Sequence, residues 1–192
     1  MVMKNLYGII FAAMLSATIF FNDLYAQNKH DLLTGLDEHD FSTFTINGLV
    51  IGGPDRYTEQ DIIDAFGQPD SVYFDYGVGY VYLYGMKVSS AKKDYVPVGE
   101  YSISLSMLNK TDIISSIAVF DESSLVNGYI RVGDPISKVY DMGGRFHKAD
   151  YGGGKGAVYW CPSGWGNADW IVCPEFNYNA NGIITYISCW QY

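Results

Sequence analysis

Positive charge is in short supply in this chain. Twelve Lys and Arg stand against 21 Asp and Glu in 192 residues, a formal net charge of −9. So acidic a chain has no electrostatic means of gripping a phosphate backbone, which excludes nucleic acid as a partner class. Histidine and cysteine are scarce, with three of each. His30 and His39 lie near the N-terminus, leaving His147 alone in the body, so no carboxylate–histidine–nucleophile trio suggests itself. Asp37-Glu38-His39-Asp40 is spelled like a metal cluster, but neighbours on an extended chain point in alternate directions and cannot converge on one ion. Ser163 lacks the Gly-x-Ser-x-Gly frame. Gly152-Gly153-Gly154-Lys155 lacks the Ser/Thr and the helix of a phosphate loop, and reads as a flexible hairpin turn. Asn109-Lys110-Thr111 spells a glycosylation sequon but reads as a turn. Catalytic residues, metal ligands and cofactors are therefore assigned to none of these motifs. Disorder is excluded for most of the length, since 48% of residues are hydrophobic and 16% aromatic.

Long apolar runs are also missing after the first residues, so no later segment approaches the ~20 residues of a membrane span. Met1 to Ala26 reads as a secretory signal peptide. Lys4 gives the positive start, Tyr7 to Phe21 the apolar region, and Leu24-Tyr25-Ala26 a small residue before the cut. Residues 27–43 form a polar lead-in. The expected location is exported, periplasmic or extracellular, with no membrane span in the mature chain.

The body carries an internal repeat, in residues 44–122 and 123–192. Leu49 to Gly53 precedes the segment from Thr58 to Gly67, and Tyr129 to Gly133 precedes the segment from Asp134 to Gly143. Both read as a short strand and a short helix. Thr58 and Asp134 are the N-caps, Pro135 stands at a first helical position, and Gly67 and Gly143 stop the helices. The tails match as well, with Ile113 to Phe120 lying over Ile183 to Trp190. Between helix and tail each copy has strand signals, at 72–76, 80–84 and 101–107 and again near 157–161 and 170–176. Residues 109–112 and 179–182 read as hairpin turns. The expected fold class is α+β: two tandem units, each a short helical element packed on an antiparallel meander of three or four strands.

This tandem of units of about 75 residues, each a capped short helix and then a meander, resembles the β-lactamase inhibitory protein fold. The single unit, with Phe66-Gly67-Gln68-Pro69-Asp70 after its helix, is similar to the SmpA/OmlA small outer-membrane assembly module. The resemblance covers roughly residues 45–191. It implies a secreted protein-binding scaffold and assigns no individual site residue.

Three cysteines in an exported chain allow three single disulfides. In the repeat alignment Cys173 falls on Ile103 and Cys189 on Val119, apolar positions of neighbouring strands, while Cys161 falls on Tyr84, on the other face. The pairing favoured is Cys173–Cys189, with three buried free thiols as the plainer alternative. In 80–84 the tyrosines alternate with Val81 and Leu83, and in 101–108 Ser102, Ser104 and Ser106 alternate with Ile103, Leu105 and Met107. If the aliphatic set meets the helix, then Tyr80, Tyr82 and Tyr84 join the serines on an open face, with Tyr159 and Tyr186 in the second copy. Tyrosine among small polar residues gives large, rigid contact area at low entropy cost. It is also simply a good strand former. The expectation is thus an exported, non-catalytic scaffold, inhibitor-like in class, binding a protein or envelope macromolecule through this face. An exported hydrolase, with carboxylates gathered by the fold, is the competing reading.

Overall fold

The computed structural model describes residues 43–53, 55–88, 99–161 and 173–190. The signal segment and all but the last residue of the lead-in fall outside the described residues. Runs rich in Tyr, Val, Ile and Ser form most of the eight strands of one antiparallel sheet, and the charged Arg145–Gly152 and the short Glu175–Tyr178 complete it. The first half contributes β1 (Ser71–Asp75), β2 (Gly79–Tyr84), β3 (Ile103–Met107) and β4 (Ile114–Val119). The second contributes β5 (Arg145–Gly152), β6 (Lys155–Cys161), β7 (Glu175–Tyr178) and β8 (Ile184–Trp190). Their order in space is β5-β6-β7-β8-β4-β3-β2-β1.

The expected α+β class, with two units each closed by its own helix on its own meander, is therefore corrected. The chain is mainly β, and both meanders belong to one continuous sheet. The reason lies in the tail strands. Each ends its meander with a free edge and an apolar row, and pairing β4 with β8 removes both edges at once. Ile117 stands opposite Cys189 and Val119 opposite Ile187. All four residues are buried.

One face of the sheet packs against Phe44 and the helix that follows it. Helix α1 (Glu59–Phe66) starts as expected: Thr58 accepts from the Asp61 backbone and Asp61 accepts from the Thr58 backbone, a complete capping box. Ile62 is buried, and the Phe66 ring lies 5.9 Å from that of Tyr84. The second expected helix, Ile136–Met142, is a 3-10 helix instead. Its capping residue was misassigned. Pro135 is extended and gives no side-chain cap, while Asp134 accepts from the Arg131 backbone and pairs with Lys138 at 3.0 Å. Without a carboxylate or hydroxyl over its first turn, the segment closes on shorter-range bonds.

An Asn47-Gly48 turn, both residues at positive φ, joins Thr45–Ile46 to Leu49–Val50. The Asn47 amide ties this hairpin to the end of α1 at the Ala65 carbonyl, 3.2 Å away, and accepts from the Leu125 backbone at 2.9 Å. Just before the hairpin, Phe44 is fully buried against Trp160 and Phe176. At the β1–β2 turn Gly79 is obligatory: its φ is +93°, and a Cβ there would strike the Met107 carbonyl and the Leu108 backbone.

Candidate binding face

Residues paired across an antiparallel ladder share a face. Tyr82 pairs with Leu105, and Tyr84 with Ile103. Leu105 continues to Ile117, and Ile117 to Cys189. This row lies on the helix side. Val81 pairs with Ser106 and Leu83 with Ser104, so these two aliphatics join the serines. The expected face assignment in β2 is therefore reversed. Tyr82 and Tyr84 are core, at 0% and 5% exposure, while Tyr80 is half-buried on the same side with Lys110 over its ring. Burial pushes the Tyr82 and Tyr84 phenols above the ordinary tyrosine range, helped by the nearby charge of Glu59. Neither hydroxyl has a hydrogen-bond partner among the described residues.

Tyr159 and Tyr186 lie on the other face. One register row crosses all eight strands there: His147, Tyr159, Glu175, Ser188, Ala118, Ser104, Leu83 and Ser71. At its β6–β7 end the Tyr159 and Tyr151 hydroxyls each donate to one oxygen of Glu175 at 3.2 Å, and Ser188 donates to the other at 3.5 Å. From this carboxylate an aromatic stripe runs toward the first half. Tyr186 stacks on Phe120 at 5.7 Å, and Tyr101 meets Phe120 edge-on at 5.6 Å. Burial first, and then the negative charge of Glu175, pushes the Tyr186 phenol up. Tyr159 is pushed up by burial, by its contact with Tyr151 and by Glu175. Tyr159 serves as a hydrogen-bond donor to Glu175. Along the stripe Tyr101, Phe120 and Tyr151 are exposed, while Leu83, Ala118 and Ser188 in the row between are buried.

Four members of this constellation were missed: Tyr101, Phe120, Tyr151 and Glu175. One of them, Phe120, carried a signal. Extending the serine parity of β3 into Ser116, Ala118 and Phe120, and into Tyr186, Ser188 and Trp190, collects one face. Glu175 carried none, because nothing in a single strand says which row a lone carboxylate will join.

The disulfide is also corrected. Cys161 is joined to Cys173, with Cα atoms 6.0 Å apart, and Cys189 is free and buried. Tyr159 pairs with Glu175, so two steps along the same ladder place Cys161 opposite Cys173. The β7–β8 register shifts between Asn177 and Tyr178. With Glu175 opposite Ser188, Cys173 falls one residue out of line with Cys189 and on the other face. Among the described residues no group of three or more His, Cys, Asp or Glu is placed to hold a metal ion. No helix among them is long and apolar enough to cross a membrane.

No family model and no curated protein matches the chain. Among solved structures, an extracellular SCP-domain protein from Bacillus anthracis str. Ames is similar over 70% of this chain, at 9% identity and a TM-score of 0.39. The match spans 43% of that protein's length.

Proposed function

We propose that this protein is an exported binding module that contacts a protein or another envelope macromolecule through the aromatic stripe of its serine face. The observation that carries this reading is the stripe itself: Tyr101, Phe120, Tyr186, Tyr151 and Tyr159, running on the side of the sheet away from α1 and anchored on Glu175. Ring-to-ring contacts and the shared carboxylate hold the side chains before any partner arrives, which lowers the entropic cost of binding.

Export is supported by the signal-like first 26 residues and by the Cys161–Cys173 bond, which persists in oxidising compartments. A duplicated origin is supported by the symmetry of the topology, in which each half supplies four consecutive strands and the two tail strands meet. The kinship with β-lactamase inhibitory protein-like and SmpA/OmlA-like scaffolds stands as part of this proposal.

The test is affinity capture from envelope extracts with wild-type protein and with a Tyr151→Ala, Phe120→Ala double variant. Neither side chain is buried, with Phe120 42% and Tyr151 58% exposed, so the fold should survive. A partner retained by the wild type and lost by the variant is the expected result. A partner held equally by both moves the binding site elsewhere.

A further inference from the structure

We propose that β1 is a docking edge at which a second copy of this chain pairs antiparallel, with Tyr73 on the two-fold axis. The two outer strands of the sheet are built differently. The outer strand β5 carries Arg145, His147, Lys148 and Asp150, the charged kind of edge that deters strand addition. The outer strand β1, Ser71-Val72-Tyr73-Phe74-Asp75, has no Lys, Arg or Pro, and its ladder with β2 is in unbroken register. Val72 and Phe74 are 40% and 51% exposed, Leu108 is 54% exposed and Tyr76, in edge contact with Phe74, is 99% exposed. A regular apolar edge that pairs with no further strand among the described residues is a template for another strand.

The order of residues selects the occupant. About an axis through Tyr73, each Val72 faces the Phe74 of the other copy on the helix side. Each Asp75 faces a Ser71 on the serine side, so carboxylates never oppose one another. The strand is complementary to itself, as an isologous contact requires. Five residues per strand bury less than the ~1,200 Å² at the low end of specific interfaces, so the dimer is weak and concentration-dependent. Each copy carries a net charge of −9, so added salt screens the repulsion and strengthens the association.

Sedimentation of the purified protein over a concentration series, at low and high salt, tests this. A reversible monomer–dimer equilibrium that tightens with salt is expected. Phe74→Lys should shift it to monomer, while Lys148→Ala on the opposite edge should leave it unchanged. Tyr73→Cys should yield a disulfide-linked dimer on oxidation, because residues facing each other across antiparallel strands lie within bridging distance. That variant keeps the test decisive should Phe74→Lys fail to fold. A wild-type protein monomeric throughout, a dimer indifferent to Phe74→Lys, or a Tyr73→Cys protein that does not crosslink each overturns the proposal. The first outcome leaves the edge to a strand from some other protein.

Discussion

Tyrosine occupies both faces of this sheet and does different work on each. On the helix side Tyr82 and Tyr84 fill the space beneath α1, with hydroxyls that reach no partner among the described residues. On the serine side Tyr159 and Tyr151 spend their hydroxyls on Glu175. The same residue type is a space-filler in one place and a polar anchor in the other. What separates them is parity within the strand, because one residue of register moves a side chain to the other face.

The largest effect that can break this contrast is a truncation. Tyr82→Ala should cost on the order of 3–5 kcal/mol, the range for removing a buried aromatic ring. Tyr151→Ala, at an exposed position on the other face, gives up one hydrogen bond to Glu175 and should cost only about 1 kcal/mol. Chemical denaturation of the two variants checks both. Equal costs would mean that the faces are not distinct in the way described.

Next in size is the disulfide, which closes a loop on the serine side. Cys161→Ser with Cys173→Ser should cost about 2–4 kcal/mol through the regained freedom of the unfolded chain. Non-reducing peptide mapping should show this bond, with Cys189 unmodified by thiol reagents until the protein unfolds. Burial pushes the Cys189 thiol from 9.0 up to about 12. Between those two values the unfolded chain has released the proton while the folded chain still holds it, so folding stability should fall as pH rises from about 9 toward about 12. The raised phenols of Tyr82 and Tyr84 act in the same direction. A melting temperature flat across that window would contradict the buried thiol.

Local signals were legible in the sequence where one residue decides the outcome. Thr58 and Asp61 announce the start of α1, and Gly67, at positive φ, ends it. Asn179 accepts from the backbones of Asn181 and Ile183, with Gly182 at positive φ, and so makes the turn its spelling suggests. Strand positions in the first half were legible from Tyr, Val and Ile runs. In the second half β5, Arg145–Gly152, carries charged residues in place of such a run and was missed. Strand β7 falls at Glu175–Tyr178 against the 170–176 expected, of which 170–172 lie outside the described residues. The remaining failures were set by pairing, apart from the cap of the second helix, where Pro135 stands in place of Asp134. Tyrosine in β2 is amphipathic, so both parities of Tyr80 to Tyr84 fit a half-buried strand, and only the partner strand β3 decides between them. The cysteine alignment failed for the same reason, since an irregularity at Asn177 and Tyr178 changes the row without leaving a mark on Cys173 itself. The joining of two meanders into one sheet depends on β4 and β8 meeting, a contact between residues about 70 positions apart.

The smallest effect is the sharpest test of the contrast, because it removes a single oxygen from each face. Tyr159→Phe deletes a donor to Glu175 and leaves the carboxylate with fewer partners, so it should destabilise by about 1 kcal/mol. Tyr82→Phe deletes a hydroxyl that is buried without a partner. The ring stays, the cavity is at most one oxygen wide, and the desolvation of the lost group no longer opposes folding. Its effect should lie between zero and a gain of a few tenths of a kcal/mol. Two denaturation curves under one buffer measure the pair. If Tyr82→Phe is the more damaging of the two, its hydroxyl has a partner in solution, and the helix-side tyrosines are polar anchors as well.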